Sequence, residues 1–150
     1  MYQKILVPLD GSKLAECALS HVKNLVKDGA VGEVTLLNVV TVNLPGRAEY
    51  QSLVNINTVR ENLFMESRKY LADVESQFAS EGIHVITESL EGNRPADVIS
   101  DYAQKNRVEL IVIATHGYTG LKKLMFGSVA LGVLHESHAP ILLIRPESSR

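Results

Sequence analysis

Short runs of consecutive apolar residues, alternating with longer stretches of helical spacing, leave this chain few ways to fold. The runs are Ile5-Leu6-Val7-Pro8-Leu9, Val34 to Val40, the more polar Ile83 to Leu90, Val108 to Ala114 and Pro140 to Ile144. A strand that is apolar on successive residues is covered on both faces, which is the signature of a parallel sheet between helices. Between the runs lie four helical patterns. The first places Leu14, Ala15, Ala18, Leu19, Val22, Leu25 and Val26 on one stripe and ends at Gly29 and Gly32. The second runs from Val59 to Ala79 with Leu63, Tyr70, Leu71, Val74 and Phe78 on one side, and Gly82 stops it. Pro95 opens the third, which reaches about Lys105, and Ser128 to about His138 is the fourth. Strand and helix alternating in this way predict an open, Rossmann-like parallel sheet of five strands with helices on both faces. Right-handed crossovers restrict how it can be wound.

Two stretches fall outside this alternation. Thr41 to Asn57 holds Pro45, Gly46 and several Asn without period, and is expected to be a long loop or weak helix. Thr115 to Gly127 is glycine-rich, with a short helical turn expected over Leu121 to Phe126. No repeat or linker interrupts the pattern, so residues 1–150 are expected to form a single domain.

Composition narrows the function classes. Fifteen Lys and Arg against seventeen Asp and Glu give a formal charge of -2, with no block of one sign, so no nucleic-acid partner is expected. No apolar stretch has the length of a bilayer crossing, and Met1-Tyr2-Gln3-Lys4 leads into a strand pattern rather than a signal peptide, so no membrane association is expected. Cys17 is the lone cysteine, which precludes an internal disulfide and fits a reducing compartment. A cytoplasmic location is the expectation.

In an open parallel sheet, ligands sit beyond the carboxyl ends of the strands, where the winding reverses. Two strand ends carry unusual residues: Pro8-Leu9-Asp10-Gly11-Ser12 after the first, and Ala114-Thr115-His116-Gly117-Tyr118-Thr119-Gly120 after the fourth. If these strands are neighbours, an acidic side chain and a glycine-lined backbone share one crevice. Gly127-Ser128 then opens the last helix, where free N–H groups and the helix dipole favour phosphate. Asp10 suits ribose hydroxyls. The plainer reading is that these glycines are turn residues, Ser128 a helix cap and Asp10-Gly11 an ordinary turn. Neither Gly-x4-Gly-Lys-Ser/Thr nor Gly-x-Gly-x-x-Gly is present, so spacing leaves the choice open.

The same residues carry a resemblance. Ile5 to Ser12, Leu36-Leu37-Asn38-Val39-Val40, Ala114-Thr115-His116-Gly117 with nine residues before Gly127-Ser128-Val129, and the closing Ala139 to Ile144 together resemble the universal stress protein family. The likeness spans nearly the whole chain. It matches the Gly-x2-Gly-x9-Gly-Ser/Thr of the ATP-binding branch at every position but the first, which is Ala114. A second departure is the turn Gly92-Asn93-Arg94-Pro95, one residue longer than the family's usual Gly-x-Pro. The resemblance implies the strand order 3-2-1-4-5 and a site for ATP or AMP between strands one and four. By position, Pro8, Leu9 and Val39 would hold adenine, and Asp10 and the Ala114 backbone would face the ribose. Gly117, Gly127, Ser128 and Val129 would hold the phosphates, with Ile113 and His116 in the same site and Mg2+ or Mn2+ bridging the phosphates without protein side chains.

Other constellations are weaker. Asp10, His116 and Ser12 or Ser128 could be drawn as a hydrolase triad, but the Gly-x-Ser-x-Gly elbow is missing. His135 and His138 lack the His-Glu-x-x-His spacing and suit the dipole at a helix end. Lys122 and Lys123 fit a solvated face as readily as a phosphate contact, and Cys17 fits packing. No general base stands out, so no catalytic residue is expected and ATP turnover, if any, should be slow. The last strand, Ile141 to Ile144, is apolar although no chain remains to cover it at a sheet edge. Pairing with a second copy through Pro140 to Arg145 is expected, as the resemblance also implies. The function expected is that of a stress-response nucleotide sensor or regulator acting as a homodimer with an unknown protein partner. The competing expectation is an interaction module of the same fold whose pocket is empty.

Overall fold

A computed structural model of the chain describes residues 1–42, 55–115 and 127–146. β1 spans Tyr2–Pro8, with an exposed start at Tyr2, Gln3 and Lys4 before the buried residues begin at Ile5. Leu9 lies beyond the strand but keeps its ladder, its N–H donating to the Leu37 carbonyl at 2.9 Å. The chain then turns on Asp10, whose Oδ1 accepts from the Ser12 N–H at 2.9 Å and the Ser12 hydroxyl at 2.6 Å. Ser12 Oγ accepts in turn from the Ala15 N–H at 3.1 Å. A single 3-10 turn, Ala15–Cys17, therefore precedes α1 (Ala18–Lys27) where the sequence predicted one continuous helix from Leu14.

Gly29, at φ 71°, ends α1 as expected, since this left-handed backbone suits glycine. Gly32 has a different reason. It lies inside β2 (Val31–Val40), where a Cβ would come within 2.9 Å of the Gln3 carbonyl oxygen. The glycine marks close approach of β1 to β2 rather than a helix end.

α2 (Ile56–Ala79) starts ahead of the predicted Val59, because the Asn55 side chain caps it by accepting from the N–H groups of Asn57 and Thr58. β3 covers Ile86–Glu91, so Ile83 and Val85 are buried core residues that precede the strand rather than belong to it. α3 (Pro95–Lys105) begins with its proline in the first turn. It closes by bonds from the Arg107 N–H to the Gln104 carbonyl and from the Val108 N–H to the Ala103 carbonyl. This use of Val108 delays β4 to Leu110–Ala114. α4 (Ser128–Glu136) stops short of the predicted His138, since Ser137 is already extended and its hydroxyl accepts from the Ala139 N–H. β5 is Ile141–Ile144.

The five strands form one parallel sheet in the order β3-β2-β1-β4-β5, the order implied by the resemblance. Alternation along each strand divides the core in two. Ile5, Val7, Val34, Leu36, Leu110 and Val112 pack with Ala18, Leu19 and Val22 of α1 and Leu71, Val74 and Phe78 of α2. On the opposite face Leu6, Leu37, Ile111 and Ile113 meet Ile99 and Ala103 of α3 and Ala130 and Val133 of α4. Phe78 is wholly buried, so its truncation to Ala is expected to cost about 3–5 kcal/mol. α3 and α4 also touch each other. A Cβ on Gly132 would lie 2.6 Å from the Ala96 Cβ, so glycine sets how near these helices come.

Candidate functional site

The strand order reverses between β1 and β4, which pair through Ile5 with Leu110 and Leu6 with Ile111. A crevice at the carboxyl ends of these two strands follows from that topology. There the structure holds a cleft of about 180 Å³. Pro8, Leu9 and Asp10 line it from β1, with Leu37 and Val39 of β2 beside them, while Ile113 and Ala114 line it from β4. Gly127, Ser128 and Val129 close the far side at the start of α4. The sequence-predicted site residues within the described regions are thus brought together. His116 and Gly117 lie outside the described residues, as do Lys122, Lys123 and the helical turn expected at Leu121 to Phe126.

Periodicity did not indicate Ala15, Pro95, Ile99 and Ala130, which also line the cleft. Each reads in sequence as an ordinary core or helix-start residue. Only the crossover geometry shows that one end of α3 reaches the same crevice as β1 and β4.

The two sides differ chemically. On the β1 side the backbone of Leu9 is bonded within the protein: its N–H donates to Leu37 and its carbonyl accepts from Asn38 Nδ2 at 2.9 Å. Asn38 Oδ1 accepts from the Ser67 hydroxyl at 2.6 Å, and Ser67 shares a further bond of 2.7 Å with Ser89. The Tyr70 phenol is held well above its ordinary range by burial, with the charges of Glu16 and Asp10 adding to the effect, so it stays neutral behind the Asp10 turn.

On the α4 side the helix cap is Gly127, not Ser128, which is the first helical residue. Glycine brings no side chain to the first-turn amides, and among the described residues none caps them. Gly127 is placed by its own N–H, which donates to the Thr115 carbonyl, while the Thr115 N–H donates to Ile144 at 2.9 Å. Bare amides and a helix dipole therefore face a mostly apolar cleft with Asp10 across it.

Ala114 sits in β4 and takes no positive φ, since Arg107 is the non-glycine residue with that backbone among those described. Its methyl is accommodated without strain. Gly92, in the longer turn, is there for space: a Cβ would overlap Val98 Cγ2. Among the described residues no group of three His, Cys, Asp or Glu is placed to hold a metal. His135 and His138 do not line the cleft. Cys17 is partly buried, and burial pushes its thiol up, away from the reactive thiolate. No helix among the described residues is long and apolar enough to cross a membrane.

Comparison with known proteins places this geometry. The sequence profile of the universal stress protein family matches residues 1–145. The universal stress protein MJ0531 of Methanocaldococcus jannaschii is 33% identical over 148 residues, covering 97% of this chain and 83% of that protein. The solved structure of MJ0577, from the same organism, superposes with a TM-score of 0.84 at 31% identity over 99% of both chains. A family member from Arabidopsis thaliana, solved with AMP bound, shares the fold with a TM-score of 0.69 at 16% identity, over 97% of this chain and 93% of that one. Sheet order, strand-end motifs and matched length agree, and the chain belongs to the universal stress protein family.

Proposed function

We propose that this protein binds an adenine nucleotide, ATP or AMP, in the cleft between β1 and β4 and acts as a nucleotide-dependent regulator in the stress response. The observation that carries the reading is the pairing of a helix start at Gly127, which no described side chain caps, with Asp10 on the other side of an apolar cleft. Pro8, Leu9, Val39 and Ile113 offer packing surface to a purine. The Ala114 backbone and Asp10 suit a ribose, and the amides from Gly127 to Val129 suit phosphate. His116 and Gly117 belong to the same proposed site. Any Mg2+ or Mn2+ would be held chiefly by the phosphates. Binding rather than catalysis is proposed, because no described group lining the cleft is poised as a general base. The AMP-bound family member supports an adenylate as the ligand class.

Titration calorimetry with ATP, AMP and cyclic AMP tests this, together with chromatography of whatever small molecule the heated protein releases. Micromolar binding of at least one adenylate is the expected result. Absence of binding to all three, with nothing released, would assign the chain to the interaction-module reading instead.

We also propose a homodimer through the β5 edge, from Pro140 to Arg145. Ile141 to Ile144 carry no charge that would block strand pairing, and Leu142 is 37% exposed on that edge. Light scattering should give twice the chain mass, and Leu142→Asp should halve it. A monomer at micromolar concentration would overturn the dimer.

A further inference from the structure

We infer that Asn38 is a positioning residue, which holds the Leu9 carbonyl from behind the sheet and thereby fixes the angle at which the Asp10 turn meets the cleft. The inference rests on the site reading above and adds a residue that lies outside the cleft lining.

A side-chain amide in the apolar run Val34 to Val40 has a cost unless its groups are paired, and both of them are. Asn38 Nδ2 donates to Leu9 O at 2.9 Å, across 29 residues of sequence. Its Oδ1 accepts from Ser67 Oγ at 2.6 Å. The Leu9 carbonyl, which can only accept, decides that Nδ2 faces it, and Oδ1 is then the end that meets the Ser67 hydroxyl. Ser67 is buried at 6% exposure and is itself steadied by Ser89 at 2.7 Å. The chain of bonds runs from β3 through α2 and β2 to the residue immediately before Asp10.

Leu9 is where β1 leaves the sheet: its ladder bond to Leu37 fixes the peptide unit before it, and Asn38 fixes the unit that joins it to Asp10. Without Asn38 the carbonyl is free to rotate, and the turn closed by Asp10 and Ser12 rotates with it. A carboxylate that must meet two hydroxyls is sensitive to such a tilt. Tyr70, one turn after Ser67 on α2, packs against the core on the same face of the sheet. α2 thus supports the turn through Ser67.

The test has two arms, both on the full chain. Amide hydrogen exchange in ligand-free protein reads positioning directly. Asn38→Ala should speed exchange of the Leu9 amide about tenfold or more while α3 amides keep their protection, the scale of one lost buried hydrogen bond. Ser67→Ala should do the same to a smaller extent, Ser67→Thr should restore protection, and the Ala double variant should be no worse than Asn38→Ala alone. Calorimetry with AMP is the second arm. Asn38→Ala should weaken binding about tenfold, while Val74→Ala, a core truncation in the same helix, should lower Tm and leave Kd unchanged. Unchanged Leu9 exchange in Asn38→Ala overturns the inference, as does equal weakening by Val74→Ala. Wild-type protein that binds no adenylate overturns the nucleotide reading alone, since the exchange arm still decides the role of Asn38.

Discussion

The two sides of the cleft are built on opposite plans. The β1 side is closed: Leu9 has both backbone groups bonded, and Asp10 accepts from Ser12 at its main chain and its hydroxyl. The α4 side is open: a glycine opens the helix and, among the described residues, no side chain caps the first-turn amides. A side with spent hydrogen bonds is a template that gives shape, whereas a side with unspent donors gives affinity to an anion. The difference assigns most of the expected binding energy to the phosphate end and most of the positional order to the sugar and base end.

The contrast can be broken most decisively at Gly127. Gly127→Val should weaken ATP or AMP binding by about a hundredfold or more, by crowding amides that make charge-assisted bonds. The fold should survive, because Gly127 lies at φ -68°, ψ 156°, an extended backbone that valine accepts. Undiminished affinity by calorimetry, with native circular dichroism, would remove the open side from the site. Next in size, adenosine should bind about tenfold or more weakly than AMP, and the gap should narrow as salt is raised. Equal affinities would mean that the α4 side contributes shape alone.

Asp10→Asn should have a smaller effect, about three- to tenfold on AMP affinity, since the amide oxygen keeps the Ser12 bonds and the amide N–H can still donate to a hydroxyl oxygen. A loss as large as that of Gly127→Val would erase the distinction between the two sides. The smallest effect is expected far from both, at the other end of the sheet. Lys23 and Lys27 beside Glu81 lower its carboxyl to about 2 from an ordinary 4.5. A depressed pKa gives stability that is fully present above about 4.5 and is lost as pH falls toward about 2. Glu81→Gln should flatten urea stability over that window and leave AMP affinity unchanged. Because the group is solvent-exposed, the change should be slight.

The parts of this molecule that could be read from its sequence are those where a physical requirement writes itself on neighbouring residues. β1 and β4 are buried on both faces, so Ile5 to Leu9 and Leu110 to Ala114 are apolar without interruption. The helix start at Gly127-Ser128 is legible for the same reason, as a break in a pattern. Requirements that act between distant residues leave no such trace. Gly32 answers to the Gln3 carbonyl, and Asn38 answers to Leu9 and Ser67, partners that only the folded sheet brings near. The start of α2 was missed because Asn55 looks like one more polar loop residue until its side chain is seen over the helix amides. Ile83 and Val85 read as part of β3 because burial outside a strand gives the same letters as burial within one. Asn38, a side-chain amide inside the run Val34 to Val40, is the sign in sequence of the support behind Leu9.

The contact between Gly132 and Ala96 reaches further than its size suggests. Those two residues do not carry the proposed polar contacts, yet they set the gap between α3 and α4, and α4 carries at its first turn the amides proposed to hold phosphate. A single methyl group added at 132 would act as a shim, prying one helix from the other and, on the proposed reading, retuning the grip on a charged guest from a distance.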